Sequence, residues 1–204
     1  VAAVPGNHDL PLFNLPVRLA APLRGYRRHL AADPEPFVHD EELAVMGVNT
    51  ARRAKWKDGR LSQAQIARIR SAFGAIPERV FKVVITHHPF VPAPGAKEPA
   101  LVSRGFEALQ AAESAGVDLL LAGHLHVGFS GDVRPHYLSI RRSMLVAQAG
   151  TATSNRHRGE PNTYNRITID PPHLTIEVRM FEGGRFRPRG TTRYLKRGDE
   201  WTRE

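Results

Sequence analysis

Val117-Asp118-Leu119-Leu120-Leu121-Ala122-Gly123-His124-Leu125-His126 opens as an apolar run and closes on two imidazoles. Val117–Ala122 has the length and near-continuous apolar character of a strand buried on both faces. The same grammar occurs upstream. Val80, Val83, Val84 and Ile85 crowd the stretch Arg79–Thr86, which runs into Thr86-His87-His88-Pro89, with Pro89 ending the strand. It occurs a third time at the start, where the apolar Val1–Val4 is broken by Pro5-Gly6 and followed by Asn7-His8-Asp9. Three strand-like runs therefore each deliver a loop that carries imidazoles.

Helices separate the runs. Ser62-Gln63-Ala64-Gln65 reads as a capping box, and Ile66, Ile69 and Phe73 follow at helical spacing, so residues 62–74 form an amphipathic helix. Leu101 to Ser114 reads as another, with Phe106 and Leu109 facing inward and Gly116 as its stop. A short helix is expected near Val17–Leu30, and two strands within Phe37–Asn49. After His126 the pattern turns to strands at Ser139–Gln148, Tyr164–Ile169 and Leu174–Phe181, with Gly183-Gly184 punctuating a hairpin. The expectation is an α/β sheet layer backed by a more antiparallel sheet. Trp56 and Trp201 read as packing residues.

The chain has 204 residues, 41% hydrophobic and 24% charged, which suffices for one domain with a buried core. No apolar run approaches the ~20 residues needed to cross a bilayer, so no membrane partner is expected. The absence of cysteine excludes disulfides, thiolate metal sites and cysteine nucleophiles. The 29 basic residues outnumber the 20 acidic ones, for a net charge of +9. That balance favours anionic partners, but aromatics do not interleave with the bases along the chain, so nucleic acid is not the favoured partner. The densest basic run, from Arg185 to Arg197, reads as part of a C-terminal tail. The chain begins without Met, inside what reads as a strand, and is taken as a fragment. Cytoplasmic location is the default expectation.

Ligands in open α/β sheets bind beyond the carboxyl ends of the strands. With neighbouring strands, Asn7, His8, His87, His124 and His126 would meet on one rim, although 79 residues separate His8 from His87 and 37 separate His87 from His124. Imidazoles with an amide oxygen suit borderline divalent ions such as Mn, Fe, Zn or Ni. Any one tetrapeptide reads as a satisfied polar loop; all three at strand ends point to a metal site. Gly123 is expected to permit the sharp turn toward the ions. Adjacent strand residues point to opposite sides, so only one of His87 and His88 faces them.

The trio Gly6-Asn7-His8-Asp9, Thr86-His87-His88-Pro89 and Gly123-His124-Leu125-His126 resembles the last three motifs of the calcineurin-like metallophosphoesterase superfamily. Gly150–Ser154 with Arg158–Asn165 is similar to its bacterial members related to cyclic-nucleotide phosphodiesterases. The resemblance runs from residue 1 to about 181, a partial phosphoesterase domain, with residues 182–204 left as a hairpin end and basic tail. It implies part of an α/β/β/α sandwich with its N-terminal strands missing. It implies two divalent ions, one held by Asn7, His87 and His124, the other by His126, with His87 chosen because the family ligand directly follows the apolar run. His8 would face the phosphate as a catalytic residue, with Asp9 orienting it. The implied reaction is phosphoric ester hydrolysis by a metal-bridging hydroxide, on a phosphoester substrate, a phosphodiester being preferred and a cyclic nucleotide the candidate. The family's earlier D-x-H and G-D motifs are absent, so the fragment alone should be nearly inactive. A nuclease of the same superfamily and a non-catalytic scaffold are the alternatives. Substrate-binding residues and oligomeric state are left open.

Overall fold

Four parallel strands form the centre of a six-stranded sheet: β2 (Leu43–Gly47), β3 (Phe81–Ile85), β4 (Leu119–Ala122) and β6 (Leu145–Gln148). Antiparallel β1 (Phe37–His39) and β5 (Phe129–Asp132) close the edges, giving the order β1-β2-β3-β4-β6-β5. Helices α1 (Leu15–Ala20) and α2 (Arg24–His29) precede β1, α3 (Gln63–Gly74) connects β2 to β3, and α4 (Gly105–Ser114) connects β3 to β4. A second, antiparallel sheet follows, from β7 (Thr163–Asp170), β8 (His173–Glu182), β9 (Arg185–Arg197) and β10 (Glu200–Arg203), in the order β10-β9-β8-β7. The computed structural model describes residues 1–94, 101–154 and 161–204. No helix among them is long and apolar enough to cross a membrane.

The central strands alternate between two cores because successive side chains leave a strand on opposite faces. Met46, Val84, Leu120 and Val146 pack against Ile66, Ile69 and Phe73 of α3 and Ala108, Leu109 and Ala112 of α4. Val83, Leu119, Leu145 and Ala147 face the other way, against Leu174, Ile176, Tyr194 and Trp201 of the second sheet. The molecule is mixed α/β, layered helix on sheet on sheet, as the fully apolar strand patterns require. The capping box is formed as read: Ser62 Oγ accepts from Gln65 N–H, and Gln65 Oε1 accepts from Ser62 N–H at 2.8 Å.

At the amino ends of β3 and β4 an ionic clasp joins the two sheets. Asp118, 2% exposed, accepts from Lys82 N–H at 3.1 Å and binds Lys196 Nζ of β9 at 2.5 Å. Arg142 lies 3.9 Å from Asp118 and also pairs with Asp199. Lys82 Nζ donates to Ala115 O at 2.9 Å, and burial pulls its pKa below the usual lysine value despite Asp118 opposing.

Several expectations are corrected. Residues 1–4 join no ladder: Val4 packs against Gly47 instead of extending the sheet. The single helix near 17–30 is two, interrupted at Ala21–Leu23. The second long helix starts at Gly105, behind Arg104 in the left-handed region (φ 63), and Phe106 is exposed, stacked on Tyr137. The expected basic tail is β9 and β10, whose Tyr194 and Trp201 complete the second core; exposed arginines on alternate positions masked a strand with a buried partner face. Gly183 and Gly184 do turn the hairpin, both at positive φ. Of the cyclic-nucleotide-like segment, Arg158 to Glu160 lie outside the described residues.

Candidate metal centre

His87 follows β3 after one residue and His124 follows β4 after one residue, so two neighbouring parallel strands deliver two imidazoles to the same rim. Asn7 arrives from the N-terminal loop, in a single 3₁₀ turn Asn7–Asp9. His87 Nε2 lies 3.0 Å from Asn7 Oδ1 and 3.1 Å from His124 Nδ1. His87 Nε2 thus stands within about 3 Å of both other potential donor atoms. Donors about 2.0–2.2 Å from a shared ion stand roughly 3.0–3.5 Å from one another, so the observed spacing and the N/O chemistry fit a borderline divalent cation. The loop backbones are tied as well, Gly123 N–H donating to His87 O at 3.1 Å.

Burial, and then the neighbouring His88, His124, His8 and His126, push His87 down to about 3. Its imidazole is therefore neutral at neutral pH, the form that coordinates metal. His8 and His126 lie near enough for their charge to act on His87. His8 is exposed beside the buried Asn7. Asp9, expected to orient His8, accepts instead from Gly6 N–H at 2.7 Å and so shapes the loop that carries Asn7.

His88 belongs geometrically to a group with His87 and His124, whose ligand atoms all lie within 4.8 Å of one another. Its nitrogens are nonetheless committed. Nε2 donates to Lys57 O at 2.8 Å, which fixes Nδ1 as the acceptor from Thr50 Oγ1 at 2.8 Å. At 0% exposure it is a satisfied core histidine. Its ring packs 4.8 Å from that of His87 and 4.6 Å from that of His124, walling the donor cluster from behind. His87 and His88 lie in a bend beyond β3 rather than in extended chain, and their hydrogen bonds, not strand alternation, distinguish them: His87 meets Asn7 and His124, while His88 meets Thr50 and Lys57.

The left-handed backbone sits at His124 (φ 69) and His126 (φ 60), not at Gly123. Non-glycine residues held there cost of order 1–3 kcal/mol each and persist only where surrounding contacts hold them. Glycine is instead required at Gly6, where a Cβ would stand 2.7 Å from the His87 ring, and at Gly59, where it would collide with the His88 ring.

Arg18 was not singled out by the sequence. It is 1% exposed and donates to three carbonyls, those of Arg53 (2.8 Å), Pro11 (3.0 Å) and Lys55 (2.6 Å). Its guanidinium lies over Trp56, 4.5 Å from the ring centroid. Trp56 is exposed rather than packed in the core, and its carbonyl accepts from Asn7 Nδ2 at 3.3 Å. Held from that side, Asn7 turns its Oδ1 toward His87. An arginine in a short helix gives no sequence signal of this role, because its partners are backbone groups 35 and 37 residues away.

No protein-family model and no curated protein matches the chain. Among solved structures it is similar, at 14% identity and a TM-score of 0.30, to a double mutant of Vps29 from Entamoeba histolytica, over 63% of this chain and 88% of that one. A single mutant of the same protein matches with the same identity and TM-score over 72% and 96%. Likeness at that level assigns neither family nor activity, and the reading of the site rests on its own donors.

Proposed function

We propose that the chain carries part of the active site of a metal-dependent phosphoesterase of the calcineurin-like type, acting on a phosphodiester. The observation that carries this is the meeting of Asn7 Oδ1, His87 Nε2 and His124 Nδ1, brought by three loops far apart in sequence, each from one of the three motifs. These three would hold one divalent ion, and His126 would contribute to a second. Bound ions would supply Lewis-acid polarisation of a phosphoryl oxygen and an activated water.

The chain's own residues prepare for that chemistry. Burial keeps His87 unprotonated, so no proton must leave before a cation binds. His88 and Arg18 fix the ring and the amide from behind, which limits the donors to one geometry. His8, exposed beside Asn7, would exchange a proton with a departing alkoxide, and Asp9 holds its loop through Gly6 N–H. The candidate group of metal-ligating residues among the described ones contains no carboxylate, which leaves the second ion short of anionic ligands. Turnover by these 204 residues should accordingly be slow.

The test is hydrolysis of bis(p-nitrophenyl) phosphate with Mn2+, Zn2+ or Ni2+ added in turn. A low rate that depends on the ion, disappears in His124→Ala, and falls in His8→Ala with ion binding retained is the expected result. A rate indifferent to the ion, or to His124→Ala, would overturn the proposal.

A further inference from the structure

The outer face of the second sheet has a composition that the linear sequence conceals. On β7 the exposed Tyr164, Arg166 and Thr168 alternate with the half-buried Asn165, Ile167 and Ile169. Leu174 and Ile176 of β8 and Tyr194 of β9 point into the core, so Arg179, Phe181 and Arg193 share the outward face with Tyr164 and Arg166. Tyr164 lies opposite Arg179, and Phe181 opposite Phe186. Tyr164 and Phe181 meet Phe186 at 4.9 and 5.2 Å between centroids, tilted at 70° and 62°, and remain 38% and 44% exposed. Folding thus interleaves rings and guanidinium groups that are scattered along the chain.

We propose that this face binds single-stranded nucleic acid. The charge is complementary: residues 163–197 carry seven arginines and one lysine against three carboxylates, five of the chain's nine net positive charges. Of those carboxylates, Glu177 is paired with Arg179 at 2.8 Å. A polymer that presents base faces to exposed rings and phosphates to arginines matches this mixture. The positions between the rings and arginines, Thr168 and Thr175, are polar, which suits a solvated ligand rather than the apolar face of a packed helix. A duplex keeps its bases stacked on each other and cannot use the rings. The Tyr164 end of β7 lies near the carboxyl ends of β4 and β6, since the neighbouring Asn165 donates its Nδ2 to the carbonyl of Gln148, which pairs with Ala122.

Binding does not depend on the phosphoesterase reading, and it is measured with metal removed. A fluorescein-labelled oligothymidylate of about 20 nucleotides is titrated with the 204-residue chain in EDTA and followed by anisotropy. Affinity should fall about tenfold or more between 50 and 200 mM salt. Tyr164→Ala and Phe181→Ala should each weaken it by roughly 5- to 100-fold, and Arg166→Ala with Arg193→Ala should flatten the salt dependence. Phe181→Leu keeps the apolar volume of the hairpin but removes the ring face, so it should weaken binding with the melting temperature unchanged. No binding at 50 mM salt would overturn the proposal. So would equal affinity for a duplex of the same length or for anionic phosphatidylglycerol vesicles, or unchanged affinity in Phe181→Leu.

Discussion

At the amino ends of β3 and β4, the buried Asp118 gathers the Lys82 N–H, Lys196 and Arg142, joining the two sheets. At the carboxyl ends of the same strands, His87 Nε2 stands 3.0 Å from Asn7 Oδ1 and 3.1 Å from His124 Nδ1. One end pairs opposite charges, and the other groups neutral donors whose chemistry suits a cation. A network of paired charges contributes to folding, and its loss should appear as instability. A cluster of neutral donors should contribute less to the metal-free fold than paired charges do, and its loss should appear first in cation binding.

The largest stability effect should come from the end that pairs charges. Asp118→Ala leaves Lys196 and Arg142 without their buried partner and should cost about 3 kcal/mol or more in urea denaturation; a cost under about 1 kcal/mol would break the contrast. His88→Ala comes next, at about 2–3 kcal/mol, since it opens a cavity and strands Thr50 and the Lys57 carbonyl. Its effect on cation affinity should stay within about tenfold, because its nitrogens are engaged elsewhere. Gly6→Ala should cost about 1–3 kcal/mol by forcing the loop off the His87 ring, and should weaken cation binding together with stability. The smallest stability change belongs to His87→Ala, about 1 kcal/mol or less without metal, although it should abolish tight cation binding. Chemical denaturation of each variant in EDTA, beside cation titration, measures both quantities.

The parts legible in the sequence were those governed by local rules. Fully apolar strands, the Ser62–Gln65 capping box and the Gly183-Gly184 turn each express their own residues' chemistry. The three motifs that carry Asn7, His87 and His124 were legible as well, although the bend that holds His87 and His88 was not, since strand alternation does not extend past Ile85. What escaped depends on distant partners. Arg18 is buried only because three carbonyls, none from its own helix, receive it. The strands β9 and β10 escaped because arginine-rich alternation resembles a solvated tail until Tyr194 and Trp201 find the second core. Gly123 was given the turn that His124 and His126 make, since the loop's tertiary contacts override glycine's local advantage.

The most direct trial of the donor cluster is titration of the metal-free chain with Co2+, followed by its visible absorption. The account predicts saturable uptake with bands characteristic of nitrogen and oxygen ligation, lost in His87→Ala and His124→Ala and kept in His88→Ala. Failure to take up Co2+ above the level of a denatured control, or loss in His88→Ala with retention in His87→Ala, would contradict it.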